Sequence, residues 1–491
     1  MFSIKTSKGS VPFTRFVGPF INGRFQPTLS STPAKRQLLN PSTEELLETV
    51  HEAGPEDVDH AVQCAQAALK GPWKAFTGRQ RRNLLLDIAH TIEKNMWKLT
   101  VLEAACGKPI NEAKLDIEEC IECFRYFAGH ADKLHGQGFA TDDGHKSYTV
   151  RKPIGVCGLI TSFNYPLLLA TWKIAPALAS GNTIVLKPAP QTPLSSLMLG
   201  ELIAEHTNLP EGVFNVLPGG EAVGAAIVNH KGINKCSFTG SGNVGRKVMA
   251  GAANSNLKPI TLELGGKSPL IVFADADLDQ AVEDVFGAIF SNMGQNCCAG
   301  SRLYLESGIE DKFLEKLKAR AEQVKIGDTL DEAYNFGALV DRVQFERVMN
   351  FIERAKQDGQ KLLTGGKRHG TKGYFIEPTI FTNVPETCTL AKDEVFGPVL
   401  SVMKPFTSIE EVLERANATP YGLASGVWTK NLSKAEQCIQ ELETGVTWVN
   451  CYNMCSAHLP FGGVKESGFG KDLGTEALYE YTTVKAVTVR V

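Results

Sequence analysis

The hydrophobic pattern of this 491-residue chain alternates between two kinds of segment along most of its length. Short apolar runs bounded by Gly, Pro or Asn are typical of buried strands, and segments with apolar residues three or four apart are typical of helices. The short runs cover residues 155–161, 182–186, 235–238, 270–273 and 302–305. Helical spacing covers residues 167–179, 195–206 and 311–324. This alternation predicts an α/β fold with parallel sheets.

The apolar runs form two series of comparable size, the second starting near Leu270. We therefore predict two doubly wound, Rossmann-like lobes with the functional site in the cleft between them. Two β-rich segments, 147–150 and 482–491, lie outside both series. The second would be a bare edge strand unless another strand covers it, because its backbone groups need hydrogen-bond partners.

Composition and charge exclude several classes of protein. The 51 Lys and Arg nearly balance the 54 Asp and Glu, and a net charge of −3 leaves no electrostatic footprint for nucleic acid. The 12 Cys are scattered over a long chain, which indicates a reducing compartment rather than a disulfide framework. Residues 153–172 carry no charge, but the Pro and Gly among them favour a buried strand, loop and helix over a membrane span.

The N-terminal segment is basic, with six Lys and Arg before the first acidic residue, Glu44. Such a bias is typical of mitochondrial transit peptides. Residues 20–25, however, predict a strand and turn, which leaves fewer than twenty residues for a presequence. We therefore expect a cytoplasmic protein rather than a mitochondrial one.

A glycine-rich motif of the form G-x-G-x-x-G spans residues 240–245, after a strand-like run and before a helical segment. In that context the amides at the helix N-terminus can bind phosphate, which indicates a dinucleotide site. The alternative is a plain glycine-rich turn. A dinucleotide site also predicts an acidic residue about 20 positions later for the ribose, and Glu263 is available.

Two further stretches contain candidate catalytic groups. Cys297 and Cys298 lie between small residues and glycines, where a thiol could be exposed on a turn and act as a nucleophile. The alternative is that they are small buried apolar residues. Glu263 lies in an apolar run, where burial would raise its pKa and suit it to act as a general base, or it could be a helix cap or ion-pair partner. Cys120 and Cys123 lack a second Cys or His pair, and we predict no metal site.

Together these motifs resemble the NAD(P)-dependent aldehyde dehydrogenase superfamily over nearly the whole chain. The matching stretches occur in the family's order, at residues 163–166, 186–188, 238–241, 262–267, 294–297, 394–398 and 460–463. The resemblance implies a cofactor-binding domain of residues 1–130 and 154–262 and a catalytic domain of residues 263–465. It also implies an oligomerisation arm of residues 131–153 and 478–491, and hence a homo-oligomer, dimer or tetramer.

The resemblance also implies roles for individual residues. Cys297 would be the nucleophile that forms a thiohemiacetal and then a thioester with the aldehyde, and Cys298 a bystander. The Asn164 side-chain amide and the Cys297 backbone N–H would bind the oxyanion. Glu263 would activate the water that hydrolyses the thioester, which replaces the ribose role considered above.

The implied cofactor is NAD, held by residues of the first lobe and by two from the second. Lys187 would bind the adenosine ribose. Gly240 and Ser241 would bind the phosphates, Glu394 and Phe396 would lie at the nicotinamide side, and Phe238 and Gly245 are the other implied cofactor contacts. Pro190 stands where many NAD-preferring members have Glu, so a carboxylate that would repel a 2′-phosphate is missing and NADP is also possible.

Two more departures from the family pattern affect the catalytic end. Ser162 and Phe163 replace the Pro-Trp that commonly precedes the oxyanion Asn, which would change packing only. Lys471 and Asp472 replace Arg-Glu, and the shorter acid could change the water network around Glu263.

Four residues are the implied substrate contacts: Tyr165, Trp172, Glu119 and Phe461. Tyr165 and Trp172 match an aromatic box found in aminoaldehyde-oxidising and betaine-aldehyde-oxidising relatives, where aromatic faces attract ammonium groups. Acidic residues 116, 118 and 119 would favour a cationic aldehyde. The alternative is that these acids form a solvated helix face and that Trp172 belongs to the core.

Two other functions are compatible with the resemblance. In a CoA-acylating enzyme, CoA instead of water would accept the acyl group, whereas an intact Glu263 favours hydrolysis. In a non-catalytic structural relative, the scaffold alone would be kept, whereas the presence of Cys297, Glu263 and Asn164 favours catalysis.

Overall fold

The computed structural model describes residues 1–16, 18–32, 34–141 and 143–490. The described residues form 22 strands, which in chain order are β1 (Phe2–Thr6), β2 (Gly9–Phe13), β3 (Phe20–Ile21), β4 (Arg24–Phe25), β5 (Lys35–Leu39), β6 (Leu46–His51), β7 (Gly138–Phe139), β8 (His145–Pro153), β9 (Val156–Ile160), β10 (Thr183–Lys187), β11 (Phe214–Val216), β12 (Lys235–Thr239), β13 (Ile260–Glu263), β14 (Pro269–Val272), β15 (Arg302–Leu305), β16 (Lys361–Thr364), β17 (Thr379–Val384), β18 (Val399–Met403), β19 (Ala424–Trp428), β20 (Val446–Val449), β21 (Gly468–Phe469) and β22 (Thr482–Arg490).

The same residues form 15 α-helices, which are α1 (Pro55–Lys70), α2 (Gly78–Lys94), α3 (Met96–Ala104), α4 (Ile110–His130), α5 (Pro166–Ala179), α6 (Leu194–His206), α7 (Glu221–Asn229), α8 (Gly242–Ser255), α9 (Leu278–Phe290), α10 (Glu310–Glu322), α11 (Arg342–Gln357), α12 (Thr389–Lys392), α13 (Ile409–Asn417), α14 (Leu432–Glu441) and α15 (Gly474–Glu480). Short 3₁₀ turns cover Pro72–Ala75, Ser291–Gly294 and Lys465–Ser467.

The first large sheet has the strand order β21-β13-β12-β9-β10-β11-β3-β4. Its five central strands, β13 to β11 in that order, are parallel. The chain runs from β9 outward to β11 and then starts again on the other side of β9 with β12. Strand order therefore reverses between β9 and β12, and doubly wound sheets bind ligands at the carboxyl ends of strands beside such a reversal.

The second large sheet has the order β16-β17-β18-β15-β14-β19-β20, with only β16 antiparallel. Helices accompany both sheets, and the central strands of each are buried along their whole length. The predicted α/β fold with two doubly wound lobes is therefore confirmed. The chain leaves the first sheet after Glu263 and returns to it at β21, so residues near the C-terminus lie beside the end of β13.

A third sheet, with the order β22-β8-β7, is the predicted small β arm. β22 pairs with β8 in antiparallel register from Thr482 opposite Pro153 to Arg490 opposite His145. One edge of the C-terminal strand is thus covered by the chain itself. The last residue of the predicted strand, Val491, lies outside the described residues.

The uncharged segment of residues 153–172 contains the end of β8, all of β9 and the start of α5, and every residue of α5 is buried. None of the helices in the described residues combines the length and apolarity that crossing a membrane requires. The predicted strand and turn at residues 20–25 is the β3–β4 hairpin, whose turn residues Asn22 and Gly23 have positive φ.

Candidate active site

Two adjoining cavities lie where the carboxyl ends of the first sheet face the amino ends of the second. The larger is a cleft of about 560 Å³ beside the β9–β12 reversal, and the smaller is a cavity of about 90 Å³ around Cys297. The residues that line both are Ser162, Phe163, Thr239, Gly240 and Ser241. A ligand of dinucleotide size in the cleft would therefore reach the smaller cavity at one end.

The smaller cavity brings together the three predicted catalytic residues, Cys297, Asn164 and Glu263, with the predicted cofactor residues Glu394 and Phe396. Gly240 and Ser241 line both cavities, and Lys187 and Phe238 line the cleft. Gly245 is buried on α8 instead: a Cβ there would come within 2.7 Å of the Leu264 side chain, so the glycine lets α8 approach the end of β13 closely.

Cys297 lies on the segment that connects α9 to β15 and is partly exposed. Before it, Asn292, Met293 and Gly294 all have positive φ, a conformation that costs free energy in non-glycine residues. Gly294 fits because a Cβ there would come within 2.1 Å of the Gly397 carbonyl oxygen. This tight turn places Cys297 in the cavity wall.

The neighbouring Cys298 is buried. Its Sγ lies 3.2 Å from Asn296 Oδ1 and 3.4 Å from Asn453 Oδ1, and its carbonyl accepts a hydrogen bond from the Tyr452 hydroxyl. A hydrogen bond with the adjacent Cys297 thiol, and then burial, raise the pKa of Cys298 well above the ordinary value. Cys298 is therefore a packing residue that supports the turn.

Asn164 follows β9 and is buried at the cavity wall. Its backbone carbonyl accepts a hydrogen bond of 2.8 Å from Asn292 Nδ2, which ties it to the turn that carries Cys297. Its side-chain oxygen has no hydrogen-bond partner among the described residues. An amide side chain beside a thiol can donate to an oxygen that becomes negatively charged there.

Glu263 is the last residue of β13 and is buried, with neither carboxyl oxygen bonded to another described residue. Burial raises the pKa of Glu263 well above its ordinary value, and the nearby Asp472 carboxylate raises it further. Lys173, which forms a buried ion pair with Asp472, opposes this by lowering that pKa. Gly462 closes the space, because a Cβ there would come within 2.4 Å of Glu263 Oε1.

Lys173 was not identified from the sequence, since a lysine inside an apolar helix pattern carries no motif of its own. The sequence indicated Asp472 as a shortened acid. The structure shows that its ion-pair partner is Lys173 and that both groups lie close enough to Glu263 to affect its pKa. These two residues are brought together from positions about 300 residues apart.

Glu394 and Phe396 also line the smaller cavity. Glu394 Oε1 accepts a 3.1 Å hydrogen bond from the Gly266 amide, and burial raises the pKa of Glu394 to about 7. Phe396 has φ +58°, and its ring meets Phe163 edge to face with centroids 5.6 Å apart. Gln344 and Arg347, which the sequence did not indicate, donate to the carbonyls of Phe396 and Glu394 and also line the cavity.

Lys187 ends β10 on the floor of the larger cleft and is buried. Burial lowers the pKa of Lys187 to about 8, with Arg36 adding to the effect and Glu52 opposing it. Across the cleft, α8 begins at Gly242 directly after Ser241, so its free N-terminal amides belong to the cleft wall. The strand reversal, the glycine-rich turn and a helix N-terminus suit a dinucleotide phosphate.

The four predicted substrate residues line neither of these two cavities. Tyr165 is partly buried and its ring face is covered by Lys108 Nζ at 3.6 Å from the centroid. Trp172 and Phe461 are buried with ring centroids 5.2 Å apart. Glu119 is exposed on α4, and partial burial and the neighbouring acids raise its pKa.

Asp116 corrects one expectation, because it is not part of a solvated helix face. It is buried in an ion pair with Lys108, the same ammonium that covers Tyr165. Cys120 and Cys123 are buried in α4. Among the described residues no group of three or more His, Cys, Asp or Glu side chains could hold a metal ion.

Comparisons with known proteins agree with this architecture. The profile described as the aldehyde dehydrogenase family matches residues 29–487. Retinaldehyde dehydrogenase 3 of Homo sapiens is 47% identical over 481 residues, covering 97% of this chain and 93% of its own. Aldehyde dehydrogenase 1A1 of Mesocricetus auratus is 45% identical over 477 residues, covering 96% of this chain and 94% of its own.

Solved structures are similar over the same length. An aldehyde dehydrogenase from Bacillus cereus, in its NAD⁺ complex, has a TM-score of 0.94 and 44% identity, covering 97% of this chain and 96% of its own. Betaine aldehyde dehydrogenase from Staphylococcus aureus, in complex with NAD⁺, has a TM-score of 0.94 and 35% identity, covering 97% of this chain and 95% of its own.

Proposed function

Because the chain belongs to the aldehyde dehydrogenase family, we propose that it oxidises an aldehyde to the carboxylic acid through Cys297, with NAD⁺ as the hydride acceptor. The observation that carries this proposal is the convergence of Cys297, Asn164 and Glu263 on one small cavity that adjoins the cleft. A nucleophile, an amide donor and a buried carboxylate are the groups that such a reaction needs.

In the first step the Cys297 thiolate attacks the aldehyde carbon. A carbon–sulfur bond forms, the carbonyl π electrons move to oxygen, and a thiohemiacetal oxyanion results. The Asn164 amide and the Cys297 backbone N–H donate to that oxygen, and one such donor is typically worth about 3–4 kcal/mol to the transition state. The hydrogen bond from Asn292 to the Asn164 carbonyl holds Asn164 next to the turn that carries Cys297.

NAD⁺, when bound, would supply the hydride acceptor, so that loss of hydride from the thiohemiacetal carbon would yield a thioester on Cys297. The residues that would hold it are Lys187 at the adenosine ribose, Gly240 and Ser241 at the phosphates, and Glu394 and Phe396 at the nicotinamide. Phe238 and Gly245 lie on either side of the glycine-rich turn that contains Gly240 and Ser241. The NAD⁺ complexes of the similar Bacillus cereus and Staphylococcus aureus enzymes support NAD⁺ as the first choice, and Pro190 leaves NADP⁺ to be tested.

Glu263 completes the cycle as a general base. Its carboxylate takes a proton from water, and the oxygen attacks the thioester to release the acid and the Cys297 thiolate. Its carboxyl oxygens, which have no partner among the described residues, are free to accept from water, and the raised pKa makes the carboxylate a stronger base.

For the substrate, we propose a preference for aminoaldehydes or betaine aldehyde over uncharged aldehydes, supported by the exposed acid Glu119. Tyr165 adds little to this preference, because Lys108 already covers its ring. Comparing kcat/KM for 4-aminobutyraldehyde and hexanal, in the wild type and in Glu119→Gln, tests it. A wild-type preference for hexanal contradicts the proposal, as does an unchanged ratio in the variant.

The decisive experiment for the reaction itself measures reduced nicotinamide formation from NAD⁺ and NADP⁺ over a panel of aldehydes, with and without CoA. We expect turnover without CoA. Turnover that requires CoA would identify a CoA-acylating enzyme instead. Normal NAD⁺ binding with no turnover on any aldehyde would identify a non-catalytic relative.

We also propose that the arm of β7, β8 and β22 joins copies of this chain into a dimer or tetramer. In the described residues β22 is the outer strand of its sheet, and a long outer strand favours pairing with another chain. Light scattering during gel filtration tests this, and a monomer at micromolar concentration contradicts it.

A further inference from the structure

The adenosine end of the cleft lacks the carboxylate that the sequence comparison expected at residue 190. Pro190 lines the cleft and carries no charge. A second acid nevertheless lies close to Lys187, contributed by a distant part of the chain: Glu52, which follows β6 and is partly buried. Its side chain is only 15% exposed, so its charge is screened less than that of a surface carboxylate.

The backbone fixes Glu52 beside the cleft wall. The Ala53 amide donates a 2.7 Å hydrogen bond to the Pro218 carbonyl, which holds this segment against the loop between β11 and α7. Gly220 in that loop lines the cleft, and a Cβ on it would lie 3.9 Å from Glu52 Oε2 and 3.8 Å from Arg36 Nη2.

Lys187 lies close to the first turns of α7 as well. The Cβ position of Gly224, one helical turn further along α7, lies 3.6 Å from the Lys187 side chain. The start of α7 is therefore flanked by Lys187 and by the Arg36–Glu52 ion pair. Arg36 and Glu52 are also close enough to Lys187 to affect its pKa, which Arg36 lowers and Glu52 raises.

We propose that the Glu52 carboxylate, positioned by Arg36, disfavours cofactors that carry a phosphate on the adenosine 2′-oxygen and so replaces the acid missing at residue 190. This proposal rests on the proposed function, in which Lys187 binds the adenosine ribose. Repulsion of a phosphate by a fixed carboxylate selects against NADP⁺ without adding a contact to NAD⁺.

Calorimetric titration of Glu52→Gln with NAD⁺, NADP⁺, 5′-AMP and 2′-AMP tests the proposal by binding alone. We expect NADP⁺ and 2′-AMP to bind about tenfold more tightly than to the wild type, which corresponds to about 1.4 kcal/mol. NAD⁺ and 5′-AMP should change less than twofold. Glu56→Gln is the matched control, because Glu56 is exposed on the first turn of α1 and, unlike Glu52, is not near Gly220 and does not influence Lys187.

Variants of Arg36 separate repulsion from attraction. Arg36→Gln should weaken NADP⁺ binding, because it leaves the Glu52 charge uncompensated. The Arg36→Gln/Glu52→Gln double variant should still bind NADP⁺ more tightly than the wild type does. In the single Glu52→Gln variant, the gain in NADP⁺ affinity over the wild type should become smaller at high salt, because salt screens the repulsion that the variant removes. Adding Pro190→Glu to Glu52→Gln should restore exclusion of NADP⁺.

The possible failures are distinguishable. A wild-type protein that binds neither NAD⁺ nor NADP⁺ contradicts the proposed function. Normal NAD⁺ binding with an unchanged NAD⁺ to NADP⁺ ratio in Glu52→Gln contradicts the role of Glu52 alone. An equal gain in Glu56→Gln would show a general charge effect, and loss of the gain in the double variant would show that a freed Arg36 attracts the phosphate. Either result overturns the proposal.

Discussion

The two large sheets share one architecture but present opposite ends to the site. From the first sheet the site takes residues at or just after the carboxyl ends of strands: Lys187 on β10, Glu263 on β13 and Asn164 after β9. From the second it takes residues just before the amino ends: Cys297 before β15 and Phe396 before β18.

This difference decides what each lobe can offer. The helix α8 follows a strand of the first sheet and begins at the site, so its free N-terminal amides would suit a phosphate group there. At the second sheet the helix α9 ends near the site, and Cys297 is instead placed by a turn with three consecutive positive φ angles. In the proposed function the first lobe would bind the cofactor through helix and strand ends, and the second would supply the nucleophile from one strained loop.

The largest expected effect comes from the residue on that loop. Cys297→Ser should lower kcat by about 10⁴-fold or more, because removing a nucleophile removes the covalent route. NAD⁺ binding, measured by calorimetry, should stay within twofold, since the cleft belongs to the other lobe. Cys298→Ser is the matched control and should keep most of the activity. Near-normal turnover in Cys297→Ser would contradict the division between lobes.

Replacing the base on the first sheet should have the next largest effect. Glu263→Gln should lower steady-state turnover about 10³-fold, within the usual range for a general base. One equivalent of NADH should still form rapidly, followed by a stalled acyl thioester on Cys297. Stopped-flow absorbance measures the burst of NADH, and the mass of the intact protein shows the acyl thioester. A variant with no burst would mean that Glu263 acts before, not after, hydride transfer.

Removing the amide donor should cost less. Asn164→Ala should lower kcat/KM about 10²-fold, because the Cys297 backbone N–H remains as the second donor to the oxyanion. The burst itself should slow, which distinguishes this variant from Glu263→Gln. If only the slow phase responds, Asn164 serves hydrolysis and not attack.

The smallest expected effect is a shift in the pH dependence of hydrolysis. Hydrolysis needs the Glu263 carboxylate, so its rate should rise with pH as that residue loses its proton, above the ordinary range of a carboxylic acid. Asp472→Asn removes a repulsive charge and frees the Lys173 ammonium, and both changes lower the pKa of Glu263. The rising limb of the pH–rate profile should therefore move to lower pH by about one unit. A shift to higher pH would mean that Asp472 does not act through charge.

The sequence predicted the two-lobed fold because strand and helix periodicities are local and strong, as in residues 182–186 and 195–206. It indicated Cys297 and Glu263 because each lies in a motif of a known family. It could not indicate Lys173, Gln344 or Arg347, because their partners lie 299, 52 and 47 residues away along the chain. Local pattern also could not show that Lys108 covers Tyr165, since that contact depends on how α4 packs against α5.

The placement of Asp472 beneath Glu263 has a consequence for biosynthesis. About 200 residues separate the two, and at about 5–20 residues per second the ribosome needs at least about 10 s to add them. For most of that interval Glu263 and Cys297 have both been made, but the strand β21 and the Asp472 side of the ion pair have not. A nascent chain therefore carries the thiol and the carboxylate before the groups that surround the carboxylate, and the complete site exists only after Asp472 has been added.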